Sequence, residues 1–372
     1  MWGHWFIKLV DKIGKIPGFI VFAGMFFFVL WGMFFYVGWR VSVVFHIDYT
    51  HWYLISLLIA VAGVIMNNCN FSKKKLIHCI SLLFLWAFMI LAVATVVFAI
   101  EQGLHLSFWT SGAWLWVVLI GVICAILLVG YLQHKKIIRT VVTIQSEKIK
   151  EHHKAVFISD LHANAFHGKR FLKNLVGRIL LEKPDFVLVG GDLVNFPQPN
   201  YVAFFQAFQR LKMPVYAIIG NHDVDFDGDT SLIDRVFKVW RMIPLRNQSV
   251  KLFEDIQLVG IDDEDLRGNK RLKGILAETQ MQDEGRFTIL LSHRPYRLSK
   301  LSHTPVDLEL AGHTHAGQIW VGIQFSQYLY DYVYGLASWK DKKAFTSQGV
   351  GSLAPIRLGT EGEIVVLHLQ AK

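Results

Sequence analysis

The chain has 372 residues, 53% of them hydrophobic and 18% charged, where soluble domains carry roughly 45–50% apolar and about 25% charged residues. The charge is unevenly divided: residues 1–134 hold seven Lys/Arg and three Asp/Glu, and residues 135–372 hold the other 31 and 26. A fully soluble protein, a disordered chain and a collagen-like fibre are excluded, as is a disulfide scaffold, because Cys69, Cys79 and Cys124 all lie in the first third.

Residues 2–16 come first. Trp2, Trp5, Phe6, Leu9, Ile13 and Ile16 fall at helical spacing, with Lys8, Asp11, Lys12 and Lys15 between them. Two readings fit: an interfacial amphipathic helix on anionic lipid, or an extension of the span that follows. Uncharged stretches then run over 16–39, 49–72, 76–100 and 113–132. Each offers about 20 residues, enough for a hydrocarbon layer of about 30 Å. A buried soluble bundle would show charged outer faces, and these runs have none. The first run exceeds the roughly 7–15 residues of a signal-peptide core, and no small-residue cleavage site follows it.

Basic clusters alternate along the chain: Lys8, Lys12 and Lys15, then Lys73–Lys75, then Lys135, Lys136 and Arg139. The positive-inside rule puts all three in the cytoplasm, with both termini and the remaining globular part; Arg40 alone dissents. The expectation is a multi-pass protein of the inner (cytoplasmic) membrane. No Asp, Glu, Lys or Arg lies inside a run, which favours an anchor or lipid-presenting platform over a conducting pathway. Expected domains are a four-helix anchor at 1–134, a juxtamembrane linker at 135–154 with a strand at 140–145, and a globular domain at 155–372.

In the globular part, short apolar runs alternate with helical stretches. Strands are expected at 155–159, 186–189, 215–219, 256–261, 287–291, 306–310 and 363–369, and helices at 170–181 and 202–211, which makes an α/β layered core. The segment 225–229 reads as a loop. Five of the strands end in polar clusters: Asp160-Leu161-His162, Gly191-Asp192, Gly220-Asn221-His222-Asp223, His293 and Gly312-His313-Thr314-His315. Each cluster alone is weak. Together they bring three Asp, one Asn and five His to one edge of the core, where open α/β sheets bind ligands. Imidazole with carboxylate and amide oxygen suits Mn, Fe or Zn. The donors are too many for one ion, so two ions sharing a carboxylate are expected.

This order of motifs (DLH, GD, GNHD, H, GHTH) resembles the calcineurin-like metallophosphoesterase superfamily over about residues 155–369. The resemblance implies a four-layer αββα sandwich. It implies Asp160, His162 and His315 on one metal, Asn221, His293 and His313 on the other, and Asp192 bridging. His222 is the implied catalytic histidine, with Asp223 orienting it. In-line attack of a metal-bridging hydroxide on a phosphoester or pyrophosphate is the implied chemistry, with two divalent ions, Mn foremost and Fe or Zn as alternatives. The stretches AGHTHAGQIW, VGIDDED and GVGSLAPIRLGTEGEIVVLHL are similar to the membrane-associated branch that includes UDP-diacylglucosamine pyrophosphatases. Ala316 stands where that branch usually has glycine, and Gln348 where it often has arginine. Arg294, Lys169, Arg170 and Arg357 are candidate diphosphate-binding cations.

The expected partners are the bilayer and a phosphorylated, lipid-linked small molecule. Nucleic acid is not expected, since the globular part carries only 31 Lys/Arg against 26 Asp/Glu and shows no interleaved aromatic platform. The alternatives are a nuclease or cyclic-nucleotide-type phosphodiesterase, or a non-catalytic membrane scaffold.

Overall fold

A computed structural model describes residues 114–163, 167–194, 199–224, 229–263, 272–279, 285–296, 298–319, 323, 326–327, 330–352 and 355–372. The amphipathic segment and the first three expected spans lie outside the described residues. The chain divides into two compact units, Met1–Ala125 and Ile126–Lys372. Every expected site residue lies in the second of these.

The fourth expected span coincides with helix α1 (Trp114–His134), which contains no Asp, Glu, Lys or Arg. Its side chains are described from Gly121 onward apart from Ile123, and no helix among the described residues is long and apolar enough to cross a membrane. The last turns of α1 seat on the domain. Gly130 lies against Ile356, with no room for a Cβ; Arg357 N–H donates to Gly130 O at 3.0 Å; and Gly359 N–H donates to Gln133 Oε1 at 3.1 Å.

The segment expected as a linker is built into the domain. It forms the edge strand β1 (Ile137–Ser146), paired in parallel with β12 (Gly362–Ala371). Val142 and Ile144 face inward while Val141 is exposed, the alternation of a strand with one covered face. The runs β2 (His153–Ile158), β3 (Phe186–Val189) and β4 (Val215–Ala217) are apolar on both faces and pair in parallel. With β5 (Ile243–Pro244) they complete a sheet of order β1-β12-β2-β3-β4-β5.

The second sheet has the order β10-β11-β9-β8-β7-β6. It comprises β6 (Gln248–Lys251), β7 (Ile256–Gly260), β8 (Phe287–Leu291), β9 (Leu308–Ala311), β10 (Gly335–Trp339) and β11 (Lys342–Thr346).

Phe157, Leu188, Ile218, Leu258, Ile289, Leu310 and Phe345 fill the layer between the two sheets. The outer face of the first sheet is covered by α2 (Lys169–Glu182), α3 (Ser231–Val239) and the stretch Pro199–Arg210. The outer face of the second carries α4 (Leu272–Glu278) and α5 (Leu298–Leu301). This is the four-layer αββα sandwich. The helix expected over 202–211 is a 3₁₀ stretch. Strands β5, β6 and β10 were not expected, because they are short and mostly polar or exposed, and strand periodicity needs a buried face; β11 is buried, but its sequence KKAFT shows no alternation.

Candidate metal centre

Every polar cluster leaves the C-terminal end of a strand, β2, β3 and β4 in one sheet and β8 and β9 in the other, and all reach the same edge of the sandwich. Their backbones are tied together: Asp160 N–H to Gly191 O at 3.0 Å, His162 N–H to Asp192 O at 2.9 Å, and Gly312 N–H to His293 O at 3.0 Å. Asp160, His162, Asp192, His313 and His315 all take positive φ, between 43° and 68°. Such conformations are uncommon for non-glycine residues and gather at functional sites. Two glycines leave space where a side chain would intrude: a Cβ on Gly220 would meet the Asp192 carboxylate, and one on Gly312 the Asp160 carboxylate.

Two groups of donors result. Asp160, His162 and His315 form one, and Asp192, His293 and His313 the other, each with its ligand atoms within 4.8 Å of one another. In the first, the Nε2 atoms of His162 and His315 are 3.0 Å apart, and His315 Nε2 is 3.6 Å from Asp160 Oδ1. In the second, His293 Nε2 lies 3.1 Å from Asn221 Oδ1, 3.3 Å from His313 Nδ1 and 3.2 Å from Asp192 Oδ2. The same Asp192 Oδ2 is 3.6 Å from His162 Nε2 in the first group. It therefore stands between the two.

These separations fit divalent ions. Donors at about 2.1 Å from an ion sit roughly 3.0–3.4 Å apart in octahedral or tetrahedral arrangement. His162 and His315 turn Nε2 toward each other at 3.0 Å, a facing of two ring nitrogens that a cation between them would satisfy; their buried Nδ1 atoms have no hydrogen-bond partner. His293 Nδ1 donates to Gly190 O at 2.9 Å, which orients its Nε2 toward the other donors.

Electrostatics follow from burial and neighbours. Burial lowers His162 and His313 to about 3, and His315 well below its ordinary value, so all three present lone pairs at neutral pH. Burial would lower His293 too, but the charges of Asp192 and Asp160 and the hydrogen bond with Asp192 outweigh it and raise the imidazole to about 10. Burial raises Asp160 to about 6. It would also raise Asp192, but His293 and the other imidazoles hold that carboxyl well below its usual range.

The remaining expected site residues divide. His222 is at the centre, its ring edge-on to His162 at 5.0 Å between centroids and its N–H on Asp192 Oδ1 at 2.9 Å. Asp223 is fully buried, and its oxygens accept the N–H groups of Gly220 and Val194, each at 3.0 Å. It fixes the turn that carries Asn221 and His222. Arg294 follows His293 and pairs with Asp263 at 3.2 Å. Lys169 and Arg170 are exposed in the first turn of α2. Lys169 lines a surface groove with Lys173, Phe204 and Arg210 that contains none of the donors.

Arg357 is a correction. Expected to meet substrate, it is fully buried, and its guanidinium donates to the carbonyls of Gln348, Gly349, Gly351 and Glu361. One supporting residue was overlooked: Glu309, fully buried in β9, accepts from Ser292 Oγ at 2.6 Å, Tyr296 N–H at 3.0 Å and the Tyr332 hydroxyl. A carboxylate inside the apolar run VDLEL was the signal available.

Comparison with known proteins agrees with this geometry. Residues 153–317 match the family described as Calcineurin-like phosphoesterase. Over 242 residues the chain is 31% identical to an uncharacterized metallophosphoesterase of Campylobacter jejuni, covering 62% of this chain and 63% of that protein. It is 29% identical over 227 residues to the phosphodiesterase YaeI of Escherichia coli, covering 58% and 82%. It is 27% identical over 238 residues to a Bos taurus transmembrane protein with metallophosphoesterase domain, covering 59% and 53%. The chain thus spans less than two thirds of the Campylobacter and bovine proteins. With its motifs in order, its donors in two groups and its sandwich fold, the stretch 153–317 is a calcineurin-like phosphoesterase domain.

Proposed function

We propose that the protein is a metal-dependent hydrolase of a phosphodiester or pyrophosphate bond. Asp160, His162 and His315 would hold one divalent ion and Asn221, His293 and His313 the other, with Asp192 shared. The observation that carries this reading is the position of Asp192 Oδ2, 3.2 Å from His293 Nε2 and 3.6 Å from His162 Nε2. Two such ions, manganese foremost for this mixed nitrogen and oxygen set, supply an acidified water and a clamp on the phosphoryl oxygens. The chain's own groups do the rest. His222, tethered through its N–H to Asp192, presents an imidazole beside the centre to hydrogen-bond a phosphoryl oxygen or protonate the leaving group. Asp223 holds the turn beneath it. Arg294, braced by Asp263, is the cation best placed to meet substrate charge.

The substrate we assign is lipid-linked and the site of action the cytoplasmic leaflet. Support comes from the uncharged stretches of residues 1–134 with their alternating lysine clusters, from the seating of the apolar α1 near the metal-site edge, and from the bovine relative's name. The name of the Escherichia coli relative supports a diester. The chemistry is tested on the full chain in detergent with Mn²⁺ and a chromogenic phosphodiester. Turnover no greater than that of Asp192→Ala counts against it. Phosphorylated lipids compared between cells lacking and overproducing the protein test the substrate, and identical profiles count against a lipid.

A further inference from the structure

We infer that the last turns of α1 are a working part of one half of the metal centre: through His134 and Arg357 as positioning residues, they hold the Asp160, His162 and His315 group in shape. The inference rests on the two-ion reading above.

Two separate routes lead from α1 to this group. The first passes through Arg357. Its N–H donates to Gly130 O of α1 at 3.0 Å, and its guanidinium gathers the carbonyls of Gln348, Gly349 and Gly351 at 2.9, 3.2 and 2.6 Å. The segment so gathered lies directly on the metal loop. Val350 N–H donates to Ser159 O at 2.9 Å and Gly351 N–H to Asp160 O at 2.8 Å. A Cβ on Gly349 would come within 2.8 Å of Asp160 Cβ and 3.2 Å of His315 Nδ1. The second route passes through His134, the last residue of α1. Its Nδ1 shares a hydrogen bond of 2.9 Å with Ser352 Oγ, and its ring packs on His167 at 4.7 Å between centroids. Ser352 in turn directly follows Gly351, whose N–H is bonded to Asp160 O.

Both routes end on the group of Asp160, His162 and His315. The other half has its own supports, Gly190 O under His293 and the Asp223 carboxylate under Gly220, which come from the strands. Unseating α1 therefore acts first on the Asp160 half and reaches the other only through the Asp160 carboxylate, which accepts His313 N–H at 3.1 Å, and through the shared Asp192. Groups that orient metal ligands commonly change metal affinity 10–100-fold when removed. The helix that enters the domain from the apolar third is thereby coupled to metal loading.

The test uses the full chain in detergent, titrated with Mn²⁺, with bound metal counted and its electron paramagnetic resonance spectrum recorded. Wild type is expected to bind two ions with the spectrum of a spin-coupled pair. His134→Ala and Gly130→Leu are expected to bind one ion about ten-fold or more weakly, to weaken the other by clearly less, and to show an isolated-ion spectrum at intermediate metal. His134→Asn, which keeps a polar nitrogen near the Nδ1 position, restores part of the loss. Val129→Ala, on the exposed face of the same helix, leaves both ions unchanged. If Gly130→Leu does not fold, His134→Ala and His134→Asn decide. Equal weakening of both ions, or of neither, overturns the inference while leaving the function intact. A wild type that binds fewer than two ions overturns both.

Discussion

Backbone strain and proton binding are concentrated on single residues around this centre. Ala316, in the turn between His315 and Gly317, is buried with φ 48° and ψ 36°, a conformation that costs a non-glycine residue about 1–2 kcal/mol. Ala316→Gly removes that cost but adds backbone entropy to the unfolded chain. The expected net gain is about 0.5 kcal/mol, a rise of roughly 1–2 °C in melting temperature, with bound metal unchanged. A lower melting temperature would show that the strain is not felt. His293 provides the pH prediction. With its proton held up to about 10 by Asp192 and Asp160 against the effect of burial, it is charged at pH 7 in the metal-free protein and must lose that proton to bind an ion. His162 and His313, lowered to about 3, have none to lose. Mn²⁺ binding at pH 7 should release about one proton, and affinity should rise with pH toward 10. Calorimetry in two buffers of different ionisation enthalpy measures this, and equal heats would contradict it. The sign for folding is the reverse. The His293 contribution to metal-free stability is complete below about 6.5 and is lost as pH climbs through about 10.

At the scale of elements, strand exits position the donors and close backbone approach sets their spacing. Gly220, between β4 and Asn221, leaves no room for a side chain beside the Asp192 carboxylate. Gly220→Ala should displace Asp192 and reduce turnover to the level of Asp192→Ala while far-UV circular dichroism stays native. Retained turnover would show that the loop gives way. Glu309 acts on a neighbouring exit, joining β9 to the loop after β8 through Ser292 and Tyr296. Glu309→Leu strands buried donors, each worth about 1–3 kcal/mol, so the melting temperature should fall by several degrees. The elements that carry the centre were legible because β2, β3 and β8 carry mostly apolar buried runs and each ends in a polar cluster. Strands β10 and β11 were not. Trp339 and Leu336 in β10 are exposed, and β11, though it buries Ala344 and Phe345, opens on two lysines and shows no strand alternation in its sequence.

For the molecule as a whole, both donor groups draw on both sheets. Asp160 and His162 follow β2 while His315 follows β9; Asp192 and Asn221 follow β3 and β4 while His293 and His313 follow β8 and β9. Ions bound there would join the sheets beyond the apolar layer between them. Removing metal with a chelator should lower the melting temperature, and Mn²⁺ at 100 times its dissociation constant should restore about 2.7 kcal/mol per site. At about 2–4 °C per kcal/mol for a unit of this size, that is roughly 5–10 °C per site. A melting temperature indifferent to chelator and metal would rule out ions as a link between the sheets.

The amino-acid sequence by itself determined the kind of chemistry on offer, because donor types, their order and the buried runs before them are local properties readable a few residues at a time. Packing alone decided how the donors divide into two groups around Asp192, why Arg357 serves carbonyls instead of substrate, and how the end of α1 comes to brace Asp160. His162 meets His315 across 153 residues and α1 meets Ser352 across 218, and even the nearby carbonyls that Arg357 gathers are brought inward only by the buried fold of their loop, which no local pattern specifies.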